Sequence, residues 1–170
     1  MQTVVIATML FTMAAFPCLS QSNVDVKTTI LKHLKTSEEF TVGVAEAMPE
    51  AEYGFKLTPA QMSFGEQLVH LSGALSFILG TISGQKASPP AQKATVKAGV
   101  IQFVHSSYEQ AINEVAKLTP EQLTQTYKFE GQTMSGLDLL LSALDHSTQH
   151  RASAEMYLRV KGITPPQYRF

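Results

Sequence analysis

Between Val24 and Gly162 the apolar residues recur at steps of three and four, and nowhere do they alternate with polar residues over a useful length. That spacing gathers them on one face of an α-helix and leaves a sheet no face to bury. The expected class is therefore all-α, a four-helix bundle. Helices are predicted over residues 24–47, 63–83, 91–117 and 135–161. The first carries Val26, Ile30, Leu34, Val42 and Val44, and the second Leu68, Leu71, Leu75, Ile78, Leu79 and Ile82. Val96, Val100, Phe103, Val104, Ala111, Ile112 and Val115 mark the third. Leu68, Leu71, Leu75, Phe103, Leu137, Leu141 and Leu144 are expected in the core.

The breaks agree with the pattern. The first helix stops before Pro49. Ser63 and Glu66 have the spacing of a capping box, in which each side chain satisfies the other's free backbone donor. Gly84 can end the second helix, and Ser88-Pro89-Pro90 is a clear interruption. Thr119-Pro120 reads as an N-cap followed by proline at the first helical position. Gln125 to Met134 reads as an extended connector. Asp138 lies in the first turn of the fourth helix, where the dipole favours a carboxylate, and Gly162 with Pro165 and Pro166 ends it. Connections 49–62 and 118–134 are long and the middle one is shorter, which does not suit simple up-down-up-down alternation. The 170 residues, 44% apolar and 16% charged, suffice for one domain with its own core.

Residues 1–24 stand apart. They carry no charged side chain, and Val4–Phe16 is an apolar run broken only by Thr8 and Thr12. Small and polar residues follow, the layout of a secretory signal peptide cut near Ser20. The expected organisation is a signal peptide over 1–20 and a bundle domain over 21–170, exported to the periplasm or beyond. The run is short for a membrane span, which needs about 20 apolar residues, so no stable membrane insertion is expected after cleavage. An uncleaved anchor, a lipoprotein built on Cys18 and a buried first helix are the other readings. Pro17 fits a lipidation site poorly.

Charge and cysteine exclude several classes. Thirteen Lys and Arg balance fourteen Asp and Glu, with no like-charge run longer than two. Nucleic-acid binding needs cations concentrated on one face, so no nucleic-acid partner is expected. One cysteine, Cys18, permits neither an internal disulfide nor a cysteine zinc site.

Chemistry must then come largely from histidine. His33 lies between lysines and reads as surface, and His105 has no partner at ligand spacing. His146 and His150 are four apart on the last helix, so they project from one face. His70 lies within the most apolar helix, where a buried imidazole must be hydrogen-bonded or ligating. A His70–His146–His150 set would present three nitrogens to one cation and leave positions open, as catalytic metal sites do. Glu66 and Asp145 are read as caps or as carboxylates orienting these ligands. Arg151 would reach a substrate anion or pair with a neighbouring carboxylate.

Asp145-His146-Ser147-Thr148-Gln149-His150-Arg151, Ala154-Glu155-Met156-Tyr157-Leu158-Arg159 and Gly162-Ile163-Thr164-Pro165-Pro166 resemble the closing helix of DinB-like bundle proteins. Ala47-Met48-Pro49-Glu50 and Phe64 to Leu71 resemble the same family's first-helix exit and metal-binding second helix. The similarity runs from Val24 to Phe170. It implies an up-up-down-down bundle with long crossover connections, one histidine ligand on the second helix and two on the fourth, and nickel or zinc as the divalent metal. It also allows for a homodimer formed through the helices.

Such a metal would lower the pKa of a water, or hold a substrate oxygen or thiolate, which suits hydrolysis or thiol transfer of a small molecule. The family's best-understood enzymes are similar to transferases that use cytoplasmic thiols, and export would remove this chain from that pool. The alternatives are a non-catalytic metal- or ligand-binding module and an interaction protein. The export expectation has its own measurement. Protein recovered from its native host should have an intact mass short of the full chain by about twenty residues, and a full-length product refutes cleavage.

Overall fold

The computed structural model describes residues 25–85 and 94–168. The N-terminal apolar run and the expected first residues of the third helix, 91–93, lie outside them. Four long helices, α1 (Val26–Ala47), α2 (Phe64–Ser83), α3 (Lys97–Lys117) and α5 (Gly136–Val160), are joined by shorter elements. These are a 3-10 turn (Glu50–Glu52), a short helix α4 (Pro120–Thr124), and strands β1 (Thr126–Phe129) and β2 (Gln132–Ser135).

The helix starts follow their caps. Asp25 accepts hydrogen bonds from the backbone N–H groups of Lys27 and Thr28. Ser63 and Glu66 close the expected capping box, Glu66 Oε2 accepting from Ser63 N at 2.6 Å. Ser135 and Asp138 form another at the head of α5, and Thr119 and Gln122 a third at α4. Gly84 and Gly162 take φ of 75° and 73°, which side chains resist and glycine does not. Helix α3 begins at Lys97 rather than near 91, because residues 94 and 95 form a turn. The expected connector at 125–134 is a hairpin, Thr126 pairing with Ser135 and Phe129 with Gln132.

The helices pack in a ring in which α1 touches α3, α3 touches α2, α2 touches α5 and α5 touches α1. Their directions correct one expectation. Lys27 Nζ donates to the carbonyls of Ala116 and Leu118, and Lys97 Nζ to those of Glu46 and Met48, so α1 and α3 are antiparallel. Ser83 bonds Glu114 while Gly65 lies against Ala94, so α2 and α3 are parallel. Gln67 meets His150 and Tyr157 meets Met62, so α2 and α5 are antiparallel. The bundle therefore runs up-down-down-up, not up-up-down-down. The loop lengths rightly excluded simple up-down-up-down alternation; the up-up-down-down order that the resemblance implied fails because the long first loop never leaves its end of the bundle. Tyr53 pins it by donating to the Ala45 carbonyl at 2.7 Å, and Phe64 N and Gly65 N donate to the carbonyls of Phe55 and Tyr53. The end of α2 and the start of α3 instead lie at opposite ends of the bundle.

Leu68, Leu71, Leu75 and Phe103 are buried as expected. Leu137 and Leu144 are only half-buried and Leu141 is 46% exposed; Leu139, Leu140 and Ala143 face the core instead. Consecutive helical residues are about 100° apart, so Leu139-Leu140-Leu141 cannot all face inward.

Two glycines mark where backbone lies directly on a helix start. A Cβ at Gly65 would stand 1.7 Å from the Ala94 carbonyl oxygen, and one at Gly136 2.1 Å from that of Gln122. A Cβ at Gly73 would meet nothing within 4 Å. Gly65→Ala and Gly136→Ala should each cost at least about 2 kcal/mol in denaturant unfolding, as overpacking does. Gly73→Ala should be neutral, or stabilise by up to about 1 kcal/mol from helix propensity.

Candidate metal centre

Antiparallel packing of α2 on α5 sets residues whose numbers sum to about 217 opposite one another, as with Gln67 and His150. His70 therefore faces the His146–His150 pair. Ring centroids are 5.1 Å apart for His70 and His146, and 4.5 Å for each of the other two pairs. One nitrogen from each ring lies within 4.8 Å of those of the other two. Shared ligation places donors about 3–4 Å apart at bond lengths of about 2.1 Å, so the rings need only draw in slightly. His146 and His150 are half-buried, as a ligand pair should be. His70 is exposed, correcting its expected burial: its neighbours Leu68 and Leu71 take the core face and turn it outward.

Gln67, which the sequence reading passed over, completes the arrangement. It is 7% exposed, and its Oε1 lies 2.5 Å from His150 Nδ1. A carboxamide oxygen only accepts, so Nδ1 carries the proton and Nε2 keeps its lone pair. The available signal was spacing, since Gln67 is three residues before His70 and shares its face. His146 Nε2 is buried with no hydrogen-bond partner among the described residues. Burial, and then the nearby His70, lowers the His146 pKa. Burial, and then His146 and His70, lowers that of His150 to about 4. Neutral imidazoles with free lone pairs are what a metal ion requires, so the residues fit one. Three histidines here could hold a metal ion.

A cavity of about 850 Å³ opens beside His70 and His146, between α2, the first loop and the hairpin. Val69, Phe77, Ile78 and Phe129 give it an apolar wall, and Glu66, Glu130 and Lys56 edge it. Glu66 is occupied: it caps α2 and lies 3.5 Å from Lys56, and the Ser63 backbone hydrogen bond is the first cause holding its carboxyl below the usual range. Glu130 sits at the hairpin tip with φ of 46°, followed by Gly131 at 80°. Turns of this kind suit the strand twist but favour Asn, Asp or Gly, so Glu130 holds its place under backbone strain. The other sequence candidates lie elsewhere. Asp145 is exposed and faces a different pocket, with His33 and Arg151. His105 is on the surface, its Nδ1 3.0 Å from Glu38.

A tri-histidine cluster between antiparallel helices, opening on an apolar cavity, defines the molecule as a helical-bundle protein with a candidate metal site in the interhelical groove. The chain belongs to the DinB family, whose model matches residues 20–170. It is 24% identical over 139 residues to YjoA of Bacillus subtilis (strain 168), a protein described as uncharacterized, covering 79% of this chain and 90% of that one. The crystal structure of YjoA, a DinB-like protein, superposes with a TM-score of 0.70 at 20% identity, covering 82% of this chain and 96% of the other. A DinB-like protein from Bacillus cereus ATCC 10987 gives 0.71 at 18% identity, over 84% and 97% of the two chains. A DinB family member from Shewanella denitrificans gives 0.57 at 16%, over 81% and 84%.

The lowered histidine pKa values have a consequence for stability. Histidine in an unfolded chain titrates near 6.5, whereas folded His150 takes its proton only near 4. Between these values the unfolded state binds a proton that the folded state refuses, so stability falls as pH falls. The Tm of chelator-treated protein should drop from pH 7 to pH 4, and His150→Ala should have a visibly shallower dependence. Equal slopes would refute this assignment.

Proposed function

We propose that this chain binds one divalent transition-metal ion through His70, His146 and His150. We propose further that it acts on a small molecule in the adjoining cavity as a metal-dependent hydrolase or transferase. The observation carrying this reading is His146 Nε2, a buried nitrogen with no partner among the described residues and within reach of two other imidazoles. Leaving such an atom unpaired costs about 1–3 kcal/mol, and ligation removes that cost. Three imidazoles favour nickel, zinc, cobalt or ferrous iron over magnesium or calcium, which prefer oxygen; nickel and zinc are the first candidates. When bound, the ion supplies Lewis acidity toward a carbonyl oxygen or a thiolate.

The chain's own residues do the rest. Gln67 fixes the His150 ring by accepting its Nδ1 proton in a hydrogen bond. Phe77, Ile78 and Phe129 hold an apolar substrate body and exclude water. Glu130 edges the same cavity, near enough to act electrostatically on His146, so its carboxylate is placed to take up a proton from the substrate, whereas Glu66 is engaged as a cap. The uncharged apolar run before Asp25 supports export.

Metal analysis of the purified protein tests the first half. About one ion per chain is expected, lost in His146→Ala and His150→Ala. Gln67→Ala should keep the fold and weaken metal affinity by about 10–100-fold. Panels of esters, amides and thiol adducts test the second half: turnover should require the metal and fall in Glu130→Gln. Metal binding without turnover would leave a binding module, and a protein that takes up no metal would overturn the proposal.

A further inference from the structure

A second cavity, of about 520 Å³, lies on the opposite flank of α5, between that helix and α1. Its floor is Arg151, which is 6% exposed. Nη1 donates to Ser37 Oγ at 2.8 Å, Nη2 reaches Thr148 Oγ1 at 3.4 Å, and the guanidinium lies 4.7 Å from the centre of the Phe40 ring. Among the described residues no carboxylate pairs with it. A buried cation is ordinarily neutralised by a partner, because its desolvation is expensive. Here the partners are two hydroxyls and a ring face, which use two of the five guanidinium N–H groups.

Ser37 cannot take over the role of counter-ion. Its hydroxyl accepts from Arg151 and lies 2.8 Å from Tyr108 OH, which lies 3.3 Å from Thr41 Oγ1. Thr41 in turn donates to the Ser37 carbonyl at 2.6 Å. With Arg151 donating at one end and a carbonyl accepting at the other, every hydroxyl proton in this chain points away from the guanidinium. The network holds Arg151 in place, and among the described residues no negative charge compensates it. Nearer the mouth, Lys32 and His33 stand opposite Asp145, so the rim adds little net charge, and Leu141 and Leu144 supply an apolar wall.

We propose that this cavity is a binding site for a small organic monocarboxylate. Its carboxylate pairs with Arg151 and its apolar body lies along Leu141 and Leu144. One guanidinium neutralises one carboxylate in fork-to-fork geometry. A phosphate dianion would leave a negative charge beside Asp145. The site is independent of the histidine cluster, from which it is separated by the width of α5.

The test is titration of the purified protein with benzoate, followed by calorimetry and by the shift in Tm, with benzamide as the uncharged isostere. Saturable binding of benzoate is expected, with none of benzamide, and unchanged by chelator or by His150→Ala. Arg151→Lys keeps the charge but loses the fork, and should weaken binding by about tenfold or more. Leu141 is 46% exposed, so Leu141→Trp fills the pocket from its rim without touching the core and should abolish binding. The proposal is overturned if benzamide binds as well as benzoate, if chelator removes the binding, or if inorganic phosphate binds more tightly. It is equally overturned if binding survives both Arg151→Lys and Leu141→Trp, or is absent at millimolar benzoate.

Discussion

The packing of α2 against α5 is the contact from which the rest of the molecule follows. It is fixed at both ends by polar groups with little freedom. At one end the Tyr157 hydroxyl donates to the Met62 carbonyl. At the other, Gln122 Nε2 of α4 and Tyr127 OH of β1 converge on the Ile82 carbonyl, and Gly136 N at the head of α5 donates to the Gln125 carbonyl, so α2 is tied to α5 through the segment that leads into it. Two fixed ends leave one register for the helices between them, and in that register three imidazoles meet. A slip of one residue would rotate His70 by about 100° and disperse the cluster. The capping boxes of Ser63 and Ser135 serve the same register, because they set where each helix begins.

Much of this was legible in the chain itself. Apolar spacing sufficed for four helices, and the caps at Ser63, Thr119 and Asp138 and the stop at Gly84 hold where the residue chemistry put them. The histidine cluster was legible because two histidines one turn apart announce a shared face. What escaped was information that lies between elements. Helix direction depends on where a loop is anchored, and the contact of Tyr53 with Ala45 is carried neither by loop length, which excluded only simple alternation, nor by the resemblance, which implied another order. The facing leucines of α5 were misassigned because three in a row satisfy several helix phases. Burial of His70 was overestimated because an apolar helix can still turn one polar residue outward.

The two flanks of α5 illustrate how one helix serves unlike chemistry. Toward α2 it offers imidazoles that burial keeps neutral, suited to a cation. Toward α1 it offers a guanidinium with a planar fork of N–H donors, suited to an anion. The surrounding hydrogen bonds differ in the same sense. Gln67 draws a proton away from a lone pair that must stay free, while the Ser37–Tyr108–Thr41 chain holds a donor in place.

His150 and Arg151 are consecutive, and a single peptide unit separates the two flanks. A rigid helix behaves as an axle: it cannot turn one residue inward without turning the next. Closing the imidazoles from their 4.8 Å envelope to ligation distance by rolling α5 would carry Arg151 along an arc past Ser37, stretching a 2.8 Å hydrogen bond. Closing them by side-chain rotation alone leaves that bond intact. The Arg151–Ser37 contact thus acts as a brake on the axle, and side-chain torsions are the freer way to bring the three imidazoles of the candidate site together.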